Sequence, residues 1–211
     1  MKTLRNVTRT LSWTVAALVL AVAPVYGQAP EEIPLGSTMP SAGEQLSRVT
    51  GGQATLGSLQ GDAATVVMFW SNQCPWVEKY EDRLIGLVDD YTPQGVSVVI
   101  INSNDPSAYP QESASSGAER FSSAGYPSGL TYLTDPNSAV AAAFGAQRTP
   151  HAYVFDGAGS LVYVGTIDDS PGDPANVKQQ YLRQAVDAVL NGSSVPVPKT
   201  KAFGCTIKFA I

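Results

Sequence analysis

Two thiols stand out for the chemistry they could do: Cys74, within VVMFWSNQCPWVEKYEDRL (66–84), and Cys205, within AFGCTIKF (202–209). A cysteine attacks only as thiolate, so a reactive one needs surroundings that favour negative charge. Pro75 suits the first position of a helix, which makes Cys74 the N-cap. Its sulfur then faces unpaired backbone N–H groups and the positive end of the helix dipole. That setting is worth about 0.3 to 2 kcal/mol, or up to roughly 1.5 pKa units. A sizeable thiolate fraction near neutral pH follows.

The positioning elements start after a leader. Lys2, Arg5 and Arg9 precede an apolar run from Leu11 to Ala23 and then Val25-Tyr26-Gly27. Basic, apolar and cleavable segments in that order predict a secretory signal peptide over residues 1–27, cut after Gly27, and hence an exported, periplasmic or otherwise extracytoplasmic protein. The apolar run is short of the roughly 20 residues a membrane span needs. The leader holds three of the 13 basic residues and none of the 18 acidic ones, so the remainder carries a net charge of −8. Such a surface repels phosphate backbones, and nucleic acid is not expected as a partner. In an exported chain two cysteines also predict a disulfide. A Cys74–Cys205 bond would close a loop of about 130 residues, worth roughly 5 kcal/mol in the chain-entropy model.

The 211 residues, 44% of them hydrophobic, suffice for one well-buried domain. Residues 28–60 read as an extended entry segment with a hairpin near Gly51-Gly52, 61–192 as the domain, and 193–211 as an extended tail carrying Cys205. The apolar runs Val66–Trp70 and Val96–Ile101 have the character of strands buried on both faces. Between them Val77, Tyr80, Leu84, Leu87, Val88 and Tyr91 recur at helical spacing, and Pro93 with Gly95 ends the helix. A second helix is expected within 110–124 and a short one over 138–144. A hairpin follows, with strands Ala152–Phe155 and Leu161–Ile167 around Asp156-Gly157-Ala158-Gly159, and then a last helix over about 174–190. The expectation is an α/β fold: a central mixed sheet flanked by helices on both faces, parallel strands first and the antiparallel pair last.

Phe69-Trp70, three spacers, Cys74 and a helix together resemble the active-site segment of the thioredoxin superfamily. CPWVEKYEDRL in particular is similar to exported redoxins of the alkyl hydroperoxide reductase/thiol-specific antioxidant (AhpC/TSA) group. The likeness continues through GAQRTPHAYVFDGAGSLVYVGTIDDS, where Thr149-Pro150 matches the cis-proline loop, and into AFGCTIKF. The resemblance implies a thioredoxin-like fold in which Thr149 and Pro150 present backbone to a substrate beside Cys74.

The departures restrict the reaction. Val77 stands at the resolving position of CxxC, so a two-cysteine cycle within the motif is excluded, and Met68 replaces the buried acid of thioredoxins. Of the peroxiredoxin pattern PxxxTxxC, Ser71 fits the hydroxyl position, Val67 replaces the proline, and Arg148 is the candidate arginine. Cys205 is then expected as a distant resolving cysteine in a thiol-disulfide oxidoreductase. A peroxiredoxin-like thiol peroxidase with peroxidatic Cys74 and a non-catalytic module with a structural Cys74–Cys205 bond are the alternatives. The partners implied are protein or small-molecule thiols and disulfides, peroxide, and an external thiol reductant.

Other residues read more plainly. Trp76 either lines the approach to Cys74 or packs; Tyr80 is expected in the core. Glu78, Lys79, Glu81, Asp82 and Arg83 read as a solvated helix face, and His151 as a structural histidine. No metal, nucleotide or flavin site is expected, since Asp168-Asp169 has no supporting ligand spacing.

Overall fold

A computed structural model describes residues 30–210. The leader falls outside them. Among the described residues nine strands and four α-helices follow one another: β1 (Gln45–Arg48), β2 (Gln53–Thr55), β3 (Ala64–Trp70), α1 (Pro75–Tyr91), β4 (Val96–Asn102), α2 (Ala114–Ser123), β5 (Leu130–Thr134), α3 (Ala139–Phe144), β6 (Arg148–Thr149), β7 (His151–Asp156), β8 (Leu161–Gly165), α4 (Tyr181–Leu190) and β9 (Cys205–Thr206).

Seven strands form one mixed sheet in the order β2-β1-β5-β4-β3-β7-β8. The central pairs β3–β4 and β4–β5 are parallel, while β3–β7, β7–β8, β1–β2 and β1–β5 are antiparallel. All seven residues of β3 are buried, at about 1.5 to 3 kcal/mol for each large apolar side chain. Strand alternation divides them between two cores. Val66, Met68 and Trp70 join α1 and α4, and Val67 and Phe69 join Phe144, Tyr153 and Ile101. Phe121 of α2 packs on the first core and α3 supplies the second, so helices cover both faces.

Three parts of the chain differ from the sequence expectation. Residues 130–134, unassigned above, form β5, because alternating Leu130, Tyr132 and Leu133 find buried positions beside β4. The entry hairpin is part of the main sheet, since β1 pairs with β5; antiparallel strands therefore flank the parallel centre on both sides. The last helix starts at Tyr181 rather than near 174. Asp169 captures the N–H groups of Lys178 (2.9 Å) and Gln179 (3.1 Å), and Asp173 caps a separate 3-10 turn over Pro174–Asn176. Asx-type bonds of this kind compete directly with helix continuation.

The tail crosses the end of the sheet where β3 and β4 finish. Val164 N–H donates to Pro198 and Thr200 N–H to Val164 along β8. Beyond that, β9 pairs antiparallel with β6. Asp105 N–H then donates to Lys208 (2.8 Å), and Lys208 N–H to the Asn104 side chain (2.9 Å). No helix among the described residues is long and apolar enough to cross a membrane.

Candidate active site

Cys74 sits where β3 turns into α1. It is the N-cap, with extended backbone (φ −73°, ψ 118°) and Pro75 at N1, where proline's fixed φ and missing N–H suit a helix start. The loop before it is held by one buried carboxylate. Ser71 accepts from Cys74 N–H (3.1 Å) and Gln73 N–H (3.2 Å), and donates to Glu112 Oε1 at 2.6 Å. Glu112 Oε2 accepts from Asn72 N–H and from the Asn102 amide, both at 2.8 Å. The Asn72 carbonyl accepts from Arg120 (2.7 Å), which is ion-paired with Glu81 (3.0 Å). A rigid loop therefore presents the sulfur.

The second wall is the Thr149-Pro150 peptide, which is cis. The Cys74 thiol donates to the Thr149 carbonyl at 3.2 Å. Thr149 is also the register partner of Cys205, so the β6–β9 pairing brings the distant cysteine to the same carbonyl. Gly204 makes this approach possible. Its φ is +140°, and a Cβ there would stand 2.1 Å from the Thr149 oxygen; only glycine meets both conditions without strain. Both cysteines are free thiols.

Their surroundings drive the two thiols apart. Burial pushes Cys74 up, but the Cys205 side chain, the N–H groups of Val77 and Cys205 and the Thr149 hydroxyl together carry it below the ordinary cysteine value. Burial, the hydrogen bond to Cys74 and the Cys74 charge raise Cys205 to about 11. The two thiols are thus shifted in opposite directions, Cys74 downward and Cys205 upward.

The remaining residues separate into near and far. Trp76 is half-buried, stacked edge-on against Phe203 (4.7 Å between centroids), and lines a cavity of about 420 Å³ with Tyr181, Thr200 and Lys201. It both packs and borders the site. Ser71 is turned to Glu112 and its hydroxyl hydrogen is committed there. Arg148 is exposed and donates to Thr206 at 2.8 Å. His151 lies opposite Phe69 on the far core's face, with Nε2 3.1 Å from Glu32 and Nδ1 3.3 Å from the Tyr153 hydroxyl.

The α1 face is less solvated than its charges suggest. Glu81 and Arg83 are half-buried, and Arg83 pairs with the buried Asp168 at 2.5 Å, which also accepts from Tyr80 (3.0 Å). Asp168 thus holds α1 rather than a cation, and among the described residues no cluster of His, Cys, Asp and Glu is arranged for a metal. Tyr80 itself is wholly buried. Sequence reasoning missed Glu112, which carries no motif; a polar Pro-Gln-Glu turn reads as surface.

The AhpC/TSA family model matches residues 35–164. Among solved structures, a hypothetical protein from Sinorhizobium meliloti 1021 is 37% identical, over 85% of this chain and 97% of that one, with a TM-score of 0.78. An uncharacterized conserved protein from Geobacillus kaustophilus is 40% identical over 84% and 93%, also at 0.78. A putative thioredoxin from Neisseria meningitidis shares the fold at 22% identity, over 71% and 89%, with a TM-score of 0.55. No curated protein matches the sequence.

Proposed function

The chain belongs to the AhpC/TSA family, a thioredoxin-like redoxin family, and from that premise we propose that it is an exported thiol-disulfide oxidoreductase with Cys74 as nucleophile and Cys205 as its distant resolving partner. The observation that carries this reading is the Thr149–Cys205 register, which brings the tail's cysteine to the same residue whose carbonyl the Cys74 thiol contacts. The composition of residues 1–27 supports export.

The cycle balances with a disulfide oxidant and an external thiol reductant. Cys74 thiolate attacks one sulfur of R–S–S–R and expels a thiolate, forming Cys74–S–S–R. Cys205 then attacks the Cys74 sulfur, its proton passes to a departing thiolate, and the Cys74–Cys205 bond forms with one thiol and one thiolate released, the latter taking its proton from water. The external reductant reopens that bond by two further exchanges. Peroxide would enter at the same sulfur; the Ser71 and Arg148 contacts, directed to Glu112 and Thr206, do not favour a peroxiredoxin-type peroxide site.

The deciding experiment is mass spectrometry of the mature protein after thiol alkylation, as isolated and in graded thiol/disulfide buffers. A Cys74–Cys205 bond that opens above about −300 mV is the expected result. A bond that resists reduction at that potential makes the pair structural, and two free thiols in oxidising buffer remove Cys205 from the mechanism.

A further inference from the structure

The same pairing that delivers Cys205 also covers Cys74. Cys74 is 2% exposed, held against the Thr149 carbonyl, and Cys205, on the strand paired with Thr149, packs on the same core cluster. The edge of Thr149 that a bound peptide would need is occupied by the chain's own β9. This cover is fastened on both sides of the cysteine. Gly204 lies against the Thr149 carbonyl. Beyond Cys205, Ile207 N–H donates to Gln147 (3.1 Å), Lys208 is tied to Asn104 and Asp105, and Ala210 N–H donates to Ser138 (3.1 Å).

Resting on the reading of Cys74 as nucleophile, we propose that the docked tail makes the site selective for low-molecular-weight disulfides. A protein disulfide must bring a folded surface to the sulfur, and β9 with Phe203 stands in the way. A small disulfide needs only a local opening beside β9, whose pairing is two residues long, whereas a folded protein needs the fastened segment to lift as a whole. Gly204 is the specificity-determining residue, because any side chain at that position pushes the strand from Thr149 and uncovers Cys74.

The test compares two probes on two variants. Cys205→Ser keeps a hydroxyl donor and stops the reaction at Cys74–S–S–R, whose formation mass spectrometry follows. In this background and in Gly204→Val/Cys205→Ser, rates are measured with bis(2-hydroxyethyl) disulfide and with insulin. The expected result is that the ratio of the insulin rate to the small-disulfide rate rises at least about tenfold on adding Gly204→Val, equivalent to about 1.4 kcal/mol of relieved obstruction. Amide exchange over 204–209 reports in parallel that the tail has lifted while the sheet stays protected. An unchanged ratio with a lifted tail overturns the proposal, and an unlifted tail overturns the part given to Gly204. Failure of both probes to modify Cys74 in either variant overturns the nucleophile reading itself, and the selectivity with it.

Discussion

Ser71 Oγ bridges Glu112 and the loop before α1: it donates to the carboxylate at 2.6 Å and accepts from the Cys74 peptide nitrogen at 3.1 Å. One hydroxyl thereby transmits the position of a buried carboxylate to the backbone of Cys74. Replacing Ser71 with alanine removes the acceptor of two N–H groups and one donor to Glu112. The expected cost is about 1 to 3 kcal/mol, read as a lower urea midpoint. A shift below a tenth of that range would mean that water takes over the site without penalty.

The thiol pair gives the reduced protein a distinctive pH profile. Cys74 has its folded pKa below the ordinary value of 9.0, so the unfolded chain binds more protons there, and stability rises with pH from the lowered Cys74 pKa up to about 9. Cys205 is raised to about 11, so its contribution is present below 9 and lost as pH climbs from 9 to 11. Urea midpoints of the reduced protein should peak near pH 9. The Cys74→Ser/Cys205→Ser double variant should lose that maximum, and its persistence there would assign it to other groups.

Alkylation reports on Cys74 directly. Iodoacetamide should modify reduced Cys74 with an apparent pKa below that of free cysteine. Cys205→Ala should raise that pKa and Cys205→Ser should restore part of the shift, because serine still donates a hydrogen bond. Equal values in all three proteins would show that the helix terminus alone sets it.

Asp168 is expected to matter for stability rather than turnover. It is 3% exposed and holds Arg83, the Tyr80 hydroxyl and Ser170 N–H. Asp168→Ala removes Arg83's carboxylate but leaves the Lys79, Ser170 and Pro171 carbonyls as its acceptors, at about 1.5 to 3 kcal/mol. Tyr80→Phe removes one hydrogen bond, at about 1 kcal/mol. Denaturation of the two variants, compared with wild type, checks the order.

Phe203 is the tail's exposed aromatic anchor on Trp76. An edge-on pair contributes about 0.5 to 1.5 kcal/mol beyond burial. Phe203→Ala frees the reduced tail more than the tethered oxidised one, so the disulfide's potential should move upward by at most about 30 mV. A downward shift would mean that Phe203 opposes ring closure.

What the sequence disclosed follows the range of the interactions concerned. β3, α1 and the β7–β8 hairpin were readable because periodicity and turn residues are local signals, and Cys74 with Pro75 marked its own helix terminus. β5 was not, because its register is fixed by β1 and β4, neither of which it adjoins in sequence. The start of α4 was misjudged because Asp169, nine residues before Lys178, takes the N–H groups a longer helix would have used. The nearness of Cys205 to Cys74 depends on a two-residue pairing across the whole domain, and Glu112 acquires its role only when Asn102 and Ser71 converge on it.

The borders of the main sheet have a further consequence. At one side the outermost strand, β2, is only three residues long, and at the other β8 is bridged by Pro198 to Thr200 of the tail. Unpaired strand borders invite a second chain to add on, and shortness and cover are two ways of discouraging it. The tail that carries Cys205 is therefore also a guard against polymerisation, and variants that detach it near residue 200 should be sought among those that aggregate, whatever their redox behaviour.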